Sequence, residues 1–432
     1  MGGPPDPRKA VTGIPKRLRP DMCRSSLAHP ADRGQSALEK PMKMSLEALR
    51  RAAKSLKRDY EAGAPLAIER VRVHGPANGP VQHADALHII ALENNFASWP
   101  RLKLAAETIG LDRASKQQRL KIALYHGQNW VVEQLLEQTP DLASGALGLQ
   151  IALYDRDAVA EALARDAGAA TRVLGPRGPM CHLAFSRWFK ARPDLVPDMM
   201  AIAEMLVAAG ADVNESYPVS AGNDHRLSAL YGAIGHADNM VLGRWLLEQG
   251  ANPNDGESLY HATELGHHEG LRMLLEHGAD PKGTNALLRA MDFHDPVAVQ
   301  MLMNAGARAD EYAGDPVGGE EPWVVPALHQ AARRMSDADM VSLLLEGGAD
   351  PARVYQGASA YGYARVFGNR DLARAIEARG CAVALTPEEE VLAAVAEDRV
   401  PEGAVIDTAK LPEGLSQHHP RDPASAGQAG SC

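Results

Sequence analysis

One short string returns through the middle of the chain. It reads Leu246-Leu-Glu-Gln-Gly-Ala-Asn252, Leu274-Leu-Glu-His-Gly-Ala-Asp280 and Leu344-Leu-Glu-Gly-Gly-Ala-Asp350, with looser copies at Met205–Asp212 and Met301–Arg308. The glycines fall at 210, 250, 278, 306 and 348, with a further candidate at 380, so the spacings are 40, 28, 28, 42 and 32. A chain that repeats one small unit in series hides its apolar faces by stacking neighbours, so the recurrence predicts an extended array rather than one globule.

About fifteen residues before most of these glycines comes a second pattern. Its copies are Ser228-Ala-Leu-Tyr-Gly-Ala-Ile234, Ser258-Leu-Tyr-His-Ala-Thr263, Asn285-Ala-Leu-Leu-Arg-Ala-Met291 and Pro326-Ala-Leu-His-Gln-Ala-Ala332. The pair of motifs resembles the ankyrin repeat, whose signature is Thr-Pro-Leu-His-x-Ala-Ala, then Gly-His, then Leu-Leu-x-x-Gly-Ala-Asp. The fullest copy runs from Glu257 to Asp280 and includes Gly266-His267. Weaker copies lie over 118–141, 148–168, 179–212 and 358–380. The resemblance implies about eight units and an all-α solenoid of helix-turn-helix repeats with short β-turn fingers.

Elementary physics predicts the same layout. Neither helix of a unit is long enough to be stable alone. Small residues on the first helix (Ala233, Ala262, Ala290, Ala331) let the next backbone approach, and the Leu-Leu pairs fill the layer between units. Gly250, Gly278, Gly306 and Gly348 sit where a helix ends in a left-handed residue. The stretches Tyr217–Arg226 and Glu311–Val325 fall in loops between units, where added chain costs little. Arg187–Pro197 separates the two helices of one unit.

The resulting division is 1–43 disordered or untranslated, with Met44 as an alternative start; 44–115 an N-terminal helical capping region; 116–386 the array; 387–400 a degenerate half-unit; and 401–432 a flexible tail. Ser45 is placed to cap a helix on which Leu46, Leu49, Ala53 and Leu56 share a face. The segment around Phe96 and Trp99 is similar to the entry segment of many bacterial ankyrin proteins, and both rings are expected to close the stack.

The 45 Lys and Arg against 55 Asp and Glu give a net charge of -10, which disfavours a protein that coats nucleic acid. Residues 1–43 hold nine basic and four acidic residues, a balance of +5 that leaves -15 for the rest. No apolar run approaches the roughly 18 to 20 residues of a membrane-spanning helix. Four scattered cysteines (Cys23, Cys181, Cys381, Cys432) point to a reducing cytosol, with a secreted effector as the alternative.

The histidines 261, 267, 268 and 277 lie within one unit and suggest a metal-dependent enzyme as a rival reading. His-Glu-x-x-His fails there, however, because Arg272 takes the last place. His267 matches the Gly-His turn, and His88 and His329 the Thr-Pro-Leu-His position, all structural in the ankyrin repeat. His418-His419 reads as a solvated pair. No phosphate loop, dinucleotide fingerprint or nucleophile elbow is present, so neither an enzyme nor a cofactor is expected. Cys181 reads as a core residue. The basic face Arg50, Arg51, Lys54, Lys57 and Arg58 allows a second rival, an adaptor for nucleic acid or an anionic membrane surface.

The ankyrin resemblance implies a concave groove whose wall carries the residues after the Ala-Ala position. Here these are Tyr125 and His126, Glu264 and Leu265, Asp292 and Phe293, Arg333 and Arg334, and Val366 and Phe367. Aromatic and arginine side chains flanked by acids have the composition of a protein-binding hot spot. The expectation is a monomeric, non-catalytic adaptor whose partner is another protein.

Overall fold

The computed structural model describes residues 45–76, 80–220, 222–310, 325–399, 403 and 405–416. The expectations for residues 1–43, for a start at Met44, for 311–324 and for His418-His419 lie outside the described residues. The chain divides into two compact units, Met1–Glu107 and Thr108–Cys432.

In the first unit, Ser45 accepts a hydrogen bond from the Ala48 amide and so caps the helix Leu46–Glu61. One face of that helix, Leu49, Ala53 and Leu56, is buried against Ala86, Ile89 and Ile90 of the helix His83–Glu93. The helix Pro65–His74 adds Ala67 and Val71 to the same core, and Phe96 and Trp99 pack on it.

The second unit is a series of helix pairs. The first helices are short: Leu147–Ala152, Pro179–Ala184, Ser258–Ala262, Ala286–Asp292, Ala327–Arg333 and Ala360–Phe367 among them. Their partners, such as Met240–Glu248, Glu269–Glu276, Pro296–Asn304 and Ala338–Glu346, carry the leucine rows. Ala233, Ala262, Ala290 and Ala331 are buried, as are Leu246, Leu274, Leu302 and Leu344. Deleting one such leucine costs about 2 to 5 kcal/mol, because the layer cannot close over the gap. The second helices end at Gly210, Gly250, Gly278, Gly306 and Gly348, all left-handed with φ from 86° to 105°. The turn after the first helix is left-handed as well, yet Tyr154, Asp238, His294 and Met335 occupy it in four repeats, at φ from 52° to 63°.

The inserted loops are built. Ser216–Pro218 pairs antiparallel with Arg226–Ser228, Tyr217 opposite Leu227, so the 217–226 insertion is a hairpin finger. The 187–197 insertion forms two 3-10 turns and buries Trp188, and its Arg187 amide donates to the Leu124 carbonyl at 3.1 Å. Fingers are also tied to one another. Asn214 Oδ1 accepts from the Asn252 amide at 2.7 Å, Asn254 Oδ1 from the Asp280 amide at 2.7 Å, and Asp310 Oδ2 from the Asp350 amide at 2.8 Å. At the equivalent place after Asp280 stands Lys282, whose side chain has no acceptor to offer.

After the last pair, the helix Pro387–Ala396 packs on Ala360–Phe367. Within the stretch expected as a flexible tail, the short helix Glu413–Ser416 lies against the last repeat. Leu415 is buried, the Gly414 amide donates to the Gln356 carbonyl at 3.1 Å, and the Tyr363 hydroxyl donates to the Gly414 carbonyl. The buried Tyr363 would otherwise leave its hydroxyl without a partner, and the returning segment satisfies it.

Candidate interaction surface

The ends of the first helices in successive repeats carry a continuous line of charge. His225 Nε2 stands 2.7 Å from Glu257 Oε1, without hydrogen-bond alignment. Glu257 is fully buried, and its Oε2 lies 3.1 Å from His261 Nε2. The other ring nitrogen of His261 lies 3.1 Å from Glu264 Oε2. Glu264 Oε1 then accepts from Arg289 Nε at 2.7 Å, and Arg289 Nη1 reaches Asp292 Oδ2 at 3.3 Å. Asp292 Oδ1 accepts from Arg334 Nε at 2.7 Å and also from the Gln330 amide.

Electrostatics follow from this geometry. Burial alone would depress the His261 imidazolium, but its hydrogen bonds to Glu257 and Glu264 outweigh burial and raise its pKa to about 9. Both ring nitrogens therefore donate at neutral pH. Glu264, although burial opposes ionisation, is held below the usual carboxylate range by His261 and Arg289. Burial, and then the neighbouring Arg334 charge, lowers Arg333. Arg289 also lies over two rings, 5.4 Å from the Tyr260 centroid and 5.1 Å from that of Phe293.

Of the residues expected on the groove wall, the structure joins Glu264, Asp292 and Arg334 in this line, with Phe293 over Arg289 and 49% exposed. Arg333 reaches it through Gln330. Leu265 is half-buried, its side chain facing Gly270 of the paired helix. Tyr125 and His126 lie elsewhere: Tyr125 stacks on Phe185 with centroids 5.9 Å apart, and His236 lies 4.0 Å from its ring. Val366 is buried in the helix Ala360–Phe367, on which Pro387–Ala396 packs. Phe367 is half-buried and stacks on Tyr363 at 5.5 Å.

Sequence reasoning missed Glu257, Arg289 and Gln330 and took His261 only as a structural or metal candidate. A signal existed. Glu257, His261 and Glu264 stand at i, i+4 and i+7, and Arg289 and Asp292 at i and i+3, which places each set on one helical face.

The unit's four histidines do not converge. His267 Nε2 pairs with Asp238 at 2.9 Å, His268 Nε2 with Asp295 at 2.7 Å, and His277 Nδ1 faces the Met273 carbonyl at 2.8 Å. Among the described residues no group of three His, Cys, Asp or Glu side chains is arranged to hold a metal ion. Cys181 is a buried thiol that donates to the Glu215 carbonyl, and burial pushes its pKa well up. On the basic helix, Arg51, Lys57 and Arg58 face Glu47, Glu61 and Asp59. None of the described helices is long and apolar enough to cross a membrane.

Solved structures similar to this chain include the human ASB11 ankyrin repeat domain, 20% identical over 55% of this chain and 99% of that one, with a TM-score of 0.40. An ankyrin repeat domain from Acinetobacter baumannii AYE is 22% identical over 47% and 97%, TM-score 0.35. The ankyrin repeat domain of Bcl-3, a member of the IkappaB family, is 21% identical over 54% and 98%, TM-score 0.39. No curated protein matches the chain by sequence. Ankyrin repeats are in general modules for binding other proteins. Residues 326–354 match the family model of the ankyrin repeat, and the helix pair they contain recurs in series on their N-terminal and C-terminal sides: the fold is an all-α ankyrin solenoid.

Proposed function

We propose that the chain is a non-catalytic, monomeric adaptor that binds another protein through the groove wall formed by Glu264, Arg289, Asp292, Phe293, Arg333 and Arg334. The observation that carries this is the fixed line of ion pairs across repeats, with an exposed Phe293 on it. Charged groups already held by neighbours lose little freedom on binding, and an aromatic ring among them supplies apolar area. The basic helix has less support as a nucleic-acid or membrane contact, since three of its five cations already face carboxylates. We place the adaptor in the cytoplasm.

The test uses the full chain as bait in lysate of its own host, beside Phe293→Ala/Arg334→Ala. A partner held by the native bait should bind the double variant about 30-fold more weakly or worse, given roughly 1 kcal/mol or more per hot-spot residue. Equal retention of every captured protein by both baits would remove the groove from consideration.

A further inference from the structure

The second unit also holds a cavity of about 270 Å³ away from the line of ion pairs. Ile122, Leu149, Leu174 and Phe185 make its apolar wall, and Lys121 and Arg177 its charged edge. No Asp or Glu lines it, although the chain carries a net charge of -10. Gly148 shapes one side. A Cβ there would stand 2.9 Å from the His182 ring, so the bare backbone lets that imidazole lie across the helix.

Neither cation has a carboxylate partner among the described residues. Arg177 lies over the rings of Tyr125, Phe185 and Tyr217, 4.6, 4.7 and 4.5 Å from their centroids. It donates through Nη2 to the Tyr217 hydroxyl at 2.8 Å, while its Nε is buried with no partner. The guanidinium is thus fixed in place with donors to spare. His182, which faces the Leu174 carbonyl at 3.0 Å, is pushed down to about 4 by burial together with the charges of Arg177 and Lys121. It is neutral at pH 7, and the cavity's charge is that of the two fixed cations.

We propose that this cavity binds a carboxylate carried on a compact apolar group about the size of a leucine side chain. The apolar group lies against Ile122, Leu149 and Leu174, and the carboxylate faces Lys121 and Arg177. A phosphate monoester brings nearly two charges and more acceptors than one ammonium and a partly engaged guanidinium satisfy. The cavity volume limits the occupant to a small free acid or the C-terminal residue of a peptide, which share this chemistry. The proposal is independent of the groove, because Phe293 and Arg334 do not line the cavity.

The test is titration of the full chain, with Ile and Leu methyl groups labelled for NMR, by 4-methylpentanoate and by its neutral amide. A short peptide ending in leucine, with free and with amidated C-terminus, forms the second pair. The acids are expected to shift the Ile122, Leu149 and Leu174 methyl signals and to bind at least about tenfold more tightly than the amides. Lys121→Gln, at an exposed position, should weaken the acid about five-fold, and Arg177→Gln should weaken it further. Phe293→Ala/Arg334→Ala should leave the titration unchanged. Binding of the small acid alone, or of the peptide alone, upholds the chemistry and names its source. No methyl shift from either acid at about 10 mM, or amides that bind as well as acids, overturns it.

Discussion

His261 is the group whose protonation the fold alters most usefully for a test. Its imidazolium is clamped between Glu257 and Glu264, and the groups facing it are Tyr231, whose ring lies 4.8 Å away, Tyr260 and, through Glu264, Arg289. Burial raises the pKa of Tyr231 well above its usual value, so that neighbour stays neutral through the window concerned. The folded chain holds the His261 proton until about pH 9, whereas an unfolded chain releases it near pH 6.5. The stabilisation is complete below pH 6.5 and drains away as pH rises through 9. At pH 7 it is on the order of 2 kcal/mol, and at pH 10 it is close to none. The perturbation is His261→Gln, which keeps a donor but cannot carry charge. Urea unfolding followed by circular dichroism should show the native chain about 2 kcal/mol more stable than the variant at pH 7, the gap closing by pH 10. An equal gap at both pH values would refute the clamp. So would a 13C-labelled His261 ring that titrates at or below 6.5.

Other perturbations probe the packing. Asp292→Ala takes one acceptor from each of Arg289, Gln330 and Arg334 at once and should cost about 1 to 3 kcal/mol in urea unfolding. Asn369 is buried, donates to the Ala331 and Ser336 carbonyls at 3.0 Å each, and caps the next helix through the Leu372 amide. Asn369→Ala should therefore cost about 2 to 4 kcal/mol, read as faster amide exchange over 328–378. Met335 is left-handed at φ 54° and 54% exposed, so Met335→Gly should raise stability by up to about 1 kcal/mol. A Cβ on Gly232 would stand 2.5 Å from the Phe185 ring, and Gly232→Ala should lower the urea midpoint by the equivalent of about 1 to 3 kcal/mol.

The repeat could be read from sequence because its determinants are local. Gly278 and its equivalents mark left-handed helix ends, and Leu274 and its equivalents face the layer between units whatever lies beyond. The line of ion pairs was legible in part. Position in the repeat selects Glu264, Asp292 and Arg334, but the Glu264–Arg289 and Asp292–Arg334 pairs join residues 25 and 42 apart, and no local pattern announces them. The fixed offset after Ala-Ala also selects Val366, which is buried in the helix on which Pro387–Ala396 packs. The 408–416 segment looked like a tail because its few apolar residues show no period. Its place depends on one hydroxyl of Tyr363 and one carbonyl of Gln356.

The side-chain links between fingers have a mechanical consequence. Each of the three, at Asn252, Asp280 and Asp350, lies across the seam between one repeat and another, so a load along the stack is shared by a hydrogen bond as well as by the leucine layer. Between Asn252 and Asp350, the step after Asp280 lacks this rivet, because Lys282 stands where Asn214, Asn254 and Asp310 serve. Under tension, the run from Asn252 to Asp350 should part first at that step, near Arg308. The same asymmetry leaves one untied step between tied ones in the run from Asn252 to Asp350. A partner lying across the repeats before and after residue 300 would meet a surface jointed there.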